Sequence, residues 1–134
     1  MTGRGQARRV MVVDDDEEIV EMTRLILESG GYQVTRALSG EEALKSVSSA
    51  HPDLILLDIN MPGMDGWEIL KMLKVDEETQ GIPVAMFSIK FELRDKVHGL
   101  KEGAFDYITK PFSYDELLER VDRIFHRLSE SGGH

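Results

Sequence analysis

Short aliphatic runs alternate along the chain with longer stretches in which apolar residues recur at every third or fourth position. The short runs, at residues 10–13, 32–37, 54–57, 83–87 and 105–108, read as strands. The longer stretches predict helices near residues 16–29, 39–50, 66–75, 91–102 and 113–129. The last is the clearest: Leu117, Leu118, Val121, Ile124, Phe125 and Leu128 recur at helical spacing, and Ser113 with Glu116 forms a capping box ahead of them. Gly30, Gly31 and Gly103 stand where helices should stop, and Pro83 opens a strand, where its missing N–H is harmless. Five strands and five helices in strict alternation call for an α/β fold, a doubly wound parallel sheet covered on both faces. The segments "LILL" and "VAMF" are apolar throughout, as strands buried on both sides should be.

A length of 134 residues suits one domain able to bury its own core. Residues 9–128 are expected to form it, with 1–8 a frayed leader that carries a small basic tail and 129–134 a flexible end. The chain has no cysteine, which removes disulfides, zinc–thiolate sites and thiol nucleophiles together. A net charge of −9 argues against direct binding of nucleic acid by this domain, because phosphate contacts need clustered Lys and Arg. No apolar run approaches a membrane span and no signal peptide precedes the first strand, so a cytoplasmic location without a membrane partner is expected.

In an open α/β sheet, ligands bind beyond the carboxyl ends of the strands. Asp14 and Asp15 follow the first strand, Asp58 the third, Ser88 ends the fourth, and Lys110 comes just after the fifth. Lys110 precedes Pro111, and an X-Pro bond can take the cis form that aims a side chain back into a pocket. Three carboxylates in one site cannot all stay ionised without compensation, and a hard divalent cation such as Mg²⁺ supplies it with oxygen ligands and retained waters. A metal, an ammonium and a hydroxyl are also what phosphoryl transfer asks of a protein, and a carboxylate is an established nucleophile for it. Asp58, at the end of the central strand, is the natural candidate.

The chain resembles the receiver domain of two-component response regulators over roughly residues 8–128. The likeness rests on "VVDDD", "LILLDINMPGMDG", "MFS" and "DYITKPF", in the right order and each after the correct strand. It implies a flavodoxin-like strand order 2-1-3-4-5. It further implies that Asp58 accepts a phosphoryl group from a sensor histidine kinase or phosphotransfer protein. Asp15 and Asp58 would bind Mg²⁺ directly, Asp14 largely through water, and the backbone carbonyl of Asn60 would complete the set. Ser88 and Lys110 would contact phosphoryl oxygens. Ser88 and Tyr107 would act as the switch, moving inward to reshape the face of the fourth helix, fifth strand and fifth helix, which a downstream protein or output domain reads. A phosphorylation-dependent dimer is compatible with such a face. The domain would be a phosphoacceptor that assists its own phosphorylation and dephosphorylation, not an enzyme in its own right.

Simpler readings compete residue by residue. Asp16 suits a helix cap, and Glu17 and Glu18 suit a first turn, where the dipole favours acids. Asp65 and Asp106 read as solvated turn or surface groups, and Trp67 and the methionines as packing. One departure from the family pattern is Ile89, where the residue after the switch hydroxyl is usually small; Lys90 adds a charge nearby. Ile89→Ala is expected to speed small-donor phosphorylation or phosphate loss, and unchanged rates in both assays would overturn this. An aspartate-nucleophile phosphatase would need an acid two residues after the nucleophile, where Asn60 stands. A degenerate receiver, acting as a docking scaffold without phosphorylation, is the remaining alternative.

Overall fold

The structure is a computed structural model and describes residues 7–88, 97–98, 100–110 and 112–132. Its elements run β1 (Arg9–Val13), α1 (Glu17–Ser29), β2 (Gln33–Ala37), α2 (Gly40–Ala50), β3 (Leu54–Asp58), α3 (Gly66–Val75), β4 (Val84–Ser88), β5 (Asp106–Thr109) and the C-terminal helix α4 (Tyr114–Gly132). The strands pair in parallel in the order β2-β1-β3-β4-β5. This is the flavodoxin-like order that the resemblance implies. Of the helix expected over 91–102, residues 97, 98, 100 and 101 are helical, and residues 91–96 lie outside the described residues. Ile89, Lys90 and Pro111 lie outside them too.

Two apolar layers sandwich the sheet. One joins Val10, Val12, Leu54, Leu56, Ala85, Phe87 and Ile108 to α1 and α4, where Val20, Leu27, Leu117, Val121 and Ile124 face inward. The other joins Met11, Val13, Ile55, Leu57, Val84 and Met86 to α2 and α3 through Val47, Ile69, Leu70 and Leu73. Odd and even residues of a strand thus serve opposite layers, as the pleat requires. Burying each large aliphatic side chain contributes roughly 1.5–3 kcal/mol. No helix among the described residues is long and apolar enough to cross a membrane.

Helix starts follow the local chemistry. Asp16 caps α1 by accepting from Glu18 N at 3.0 Å and Ile19 N at 3.3 Å. Ser113 and Glu116 form the expected reciprocal box ahead of α4. Asp65, read from sequence as a solvated turn residue, instead caps α3 in a second such box with Glu68. Its three-residue spacing to a glutamate was a legible signal. At the far end of α2, His51 closes the helix in the left-handed region, at φ 48°. A side chain there is strained by about 1 kcal/mol. His51→Gly is expected to stabilise the fold by about 0.5–1 kcal/mol, read as a higher urea midpoint. A lower midpoint would show that the imidazole contributes more than its backbone conformation loses.

Candidate functional site

Parallel register brings the carboxyl ends of β1, β3, β4 and β5 to one edge. Asp58 pairs in register with Phe87, and Phe87 with Ile108. By alternation, Asp14 continues the face of Val10 and Val12, Asp58 that of Leu54 and Leu56, and Lys110 that of Ile108. All three therefore rise from the layer packed on α1 and α4. Ser88 and Tyr107 belong to the opposite layer, with Val84 and Met86.

The side chains from the first layer meet. The Lys110 ammonium donates to Asp14 Oδ2 at 2.5 Å and to Asp58 Oδ1 at 3.3 Å. All three residues are buried, with 1% of Asp14, 5% of Asp58 and 8% of Lys110 exposed. The second Asp14 oxygen accepts from Asp16 N at 3.0 Å, which ties the site to the start of α1. Lys110 N donates to Ser88 O at 2.7 Å and anchors the root of the lysine. Its Nζ also lies 5.0 Å from the centroid of the Phe87 ring, which stacks on Phe112 at 5.3 Å. Asp15 is exposed. One oxygen from each of Asp14, Asp15 and Asp58 lies within 4.8 Å of the others.

Electrostatics single out Asp58. Burial pushes its carboxyl up to about 6, the charge of Asp14 pushes in the same direction, and Lys110 offsets only part of the rise. Three carboxylates against one ammonium leave an excess of negative charge that suits a divalent cation. The exposed Asp15 leaves an open side on which such an ion could keep its waters. Asn60, two residues after Asp58, is exposed beside this cluster in sequence. Ser88 and Tyr107 are buried, at 2% and 3% exposure, and Tyr107 sits inward in the layer shared with Met86 and Ala104.

Residues 10–122 match the family model described as the response regulator receiver domain. The chain belongs to that family. This receiver is 43% identical over 123 residues to the phosphate regulon transcriptional regulatory protein PhoB of Escherichia coli (strain K12), across 92% of this chain and 54% of PhoB. It is 45% identical over 120 residues to the alkaline phosphatase synthesis transcriptional regulatory protein PhoP of Bacillus subtilis (strain 168), across 90% of this chain and 49% of PhoP. The receiver spans about half the length of the curated relatives it matches. Among solved structures, the chemotaxis protein CheY4 of Vibrio cholerae superposes with a TM-score of 0.84 at 32% identity, covering 89% of this receiver and 99% of CheY4. Receiver domains are signalling domains of two-component systems, they bind Mg²⁺ at an acidic pocket, and this one carries an aspartate cluster.

Sequence reasoning missed two features of this receiver. Asp106 is not a solvated surface group but is 8% exposed, bound by Arg120 Nη2 at 3.0 Å and Arg127 Nη1 at 3.2 Å. Two arginines seven residues apart on α4 form one stripe facing the sheet edge, and that spacing was the available signal. Phe87 passed for an ordinary core residue. Its register beside Asp58 and its contact with Lys110 show only in three dimensions.

Proposed function

We propose that Asp58 is the phosphoacceptor of this receiver, with Ser88 and Lys110 as its partners on the phosphoryl oxygens. The observation that carries the reading is the buried Asp58 carboxylate, held at the sheet edge with Lys110 Nζ at 3.3 Å and the oxygens of Asp14 and Asp15 within reach. The phosphodonor is the phosphohistidine of a sensor kinase or phosphotransfer protein, the partner class that a receiver implies. An Asp58 oxygen attacks phosphorus, the O–P bond forms, the N–P bond breaks, and the imidazole nitrogen keeps the electron pair. Lys110 orients the attacking carboxylate against the incoming charge. A Mg²⁺ ion held by Asp14, Asp15, Asp58 and the carbonyl of Asn60 would supply charge neutralisation at the transferring group. Burial of Asp58 keeps bulk water from the acyl phosphate.

Ser88 and Tyr107 form the proposed switch, and the face of the helix expected over 91–102, β5 and the C-terminal helix α4 is the proposed output face. It would be read in the cytoplasm by a downstream protein, an output domain or a second copy. The scaffold reading has no observation in its favour, since the buried site brings together Asp14, Asp58 and Lys110.

Incubation with acetyl phosphate and Mg²⁺ is expected to give a hydroxylamine-labile phosphoryl adduct by intact mass, absent from Asp58→Asn. An unlabelled wild type, even with a phosphorylated kinase, would overturn the reading. Mg²⁺ at a hundred times its Kd should stabilise the domain by about 2.7 kcal/mol through mass action on the folded state. Thermal denaturation of Asp15→Asn should lose most of that increase, and a wild-type response there would place the ion elsewhere.

A further inference from the structure

We propose that Phe87 is a positioning residue for Lys110, holding the ammonium against Asp14 and Asp58 through the face of its ring. The inference rests on the phosphoacceptor reading above. Lys110 carries its charge on a flexible four-carbon stem, and a compact ammonium has no intrinsic geometry of its own. Two of its donors reach Asp14 and Asp58. Asp14 follows β1 and Asp58 closes β3, so these two contacts come from different elements. The Phe87 centroid, 5.0 Å from Nζ, gives it a third attachment, within the range at which a ring face attracts a cation.

Three observations make this more than a chance contact. Phe87 is wholly buried and Lys110 is nearly so, and attraction of a cation to a ring face is strongest when both are out of water. The ring is itself fixed, because it stacks on Phe112 with an interplanar angle of 18°. Phe87 also pairs in register with Asp58, so the platform for the cation and the phosphoacceptor are carried by directly neighbouring strand positions. An aliphatic residue at 87 could fill the layer, but only an aromatic face also attracts the ammonium. Displacements of the order of 1 Å in a positioned group cost large factors in rate, which is what the ring would prevent.

The test keeps the shape of the ring and changes only its charge distribution. Mono-, di- and trifluorinated phenylalanine are placed at position 87, in the wild type and in Lys110→Met. In the wild type, the rate of adduct formation from acetyl phosphate should fall in steps with each fluorine, reaching roughly tenfold for the trifluorinated ring. The urea midpoint of the resting, metal-free domain should fall in the same order. In Lys110→Met the midpoint should not follow the series. A flat wild-type series, or an equal slope in Lys110→Met, would overturn the proposal and leave Phe87 a packing residue. A wild type that forms no adduct would sink the phosphoacceptor reading instead, while the midpoint series would still decide whether the ring holds the lysine.

Discussion

Asp58→Asn is expected to make the metal-free domain more stable at pH 7.5, not less. The folded-state pKa of Asp58 is raised from 3.8 to about 6, chiefly by burial and then by Asp14. The folded state therefore binds more protons than the unfolded chain between those two values. The stability contributed by the protonated carboxyl is fully present below about pH 4 and is lost as pH rises through about 6. At pH 7.5 the ionised side chain is a net burden, and a shift of this size corresponds to about 3 kcal/mol at most. Asparagine keeps the shape and an acceptor for Lys110 but carries no charge to bury. Its melting temperature should exceed that of wild type by up to about 10 °C at pH 7.5, with the two converging near pH 4. Saturating Mg²⁺ should narrow the gap, because the ion relieves the burden in the wild type. Equal melting temperatures at pH 7.5 without Mg²⁺ would show that Lys110 already compensates Asp58 in full.

The second large effect concerns Gly66, the first residue of α3. A Cβ built there would lie 2.3 Å from the carbonyl oxygen of Asp58 and 2.8 Å from the Cα of Ile59. Both are backbone, and Gly66 N already donates to Ile59 O at 2.9 Å, so no flexible side chain can give way. Gly66→Ala must push α3 away from the loop that carries the phosphoacceptor. It should cost about 3 kcal/mol, at the upper end for an extra methyl in a packed site. Gly81, whose Cβ would meet nothing within 4 Å, supplies the control, and Gly81→Ala should leave the urea midpoint nearly unchanged. Gly66→Ala should also weaken Mg²⁺ binding, measured by calorimetry, because the displaced peptide belongs to Asp58. Identical midpoints for the two variants would mean that the loop is far more pliant than its packing indicates.

Periodicity was enough to read the sheet and four of its helices, because every strand but β2 ends at an abrupt polar change. Strand ends were placed within a residue or two. Asp58 and Ser88 close their strands, and Pro83 stands just before β4 rather than inside it. The convergence of Asp14, Asp58 and Lys110 was also legible, since parallel strands must deliver their last residues to one edge. What could not be read was the environment of each side chain. Nothing in the sequence near Asp106 says that two arginines reach it from α4, and nothing near Lys110 says that it rests against Phe87. Those contacts cross from one element to another; the spacing of Arg120 and Arg127 marks a stripe on α4, but local pattern does not say which residue that stripe meets.

The two layers described above give the molecule a division of labour with a very thin partition. Asp14, Asp58 and Lys110 lie on the α1 side of the sheet, whereas Ser88 and Tyr107 lie on the other. Under the proposed roles Ser88 alone serves both chemistry and readout, reaching the phosphoryl group from the far layer, and Phe87 and Ser88 are one peptide unit apart. News of phosphorylation has no need to percolate through a core. A small rotation of a single strand end can carry it from one compartment to the other, while the interior that supports both stays in place.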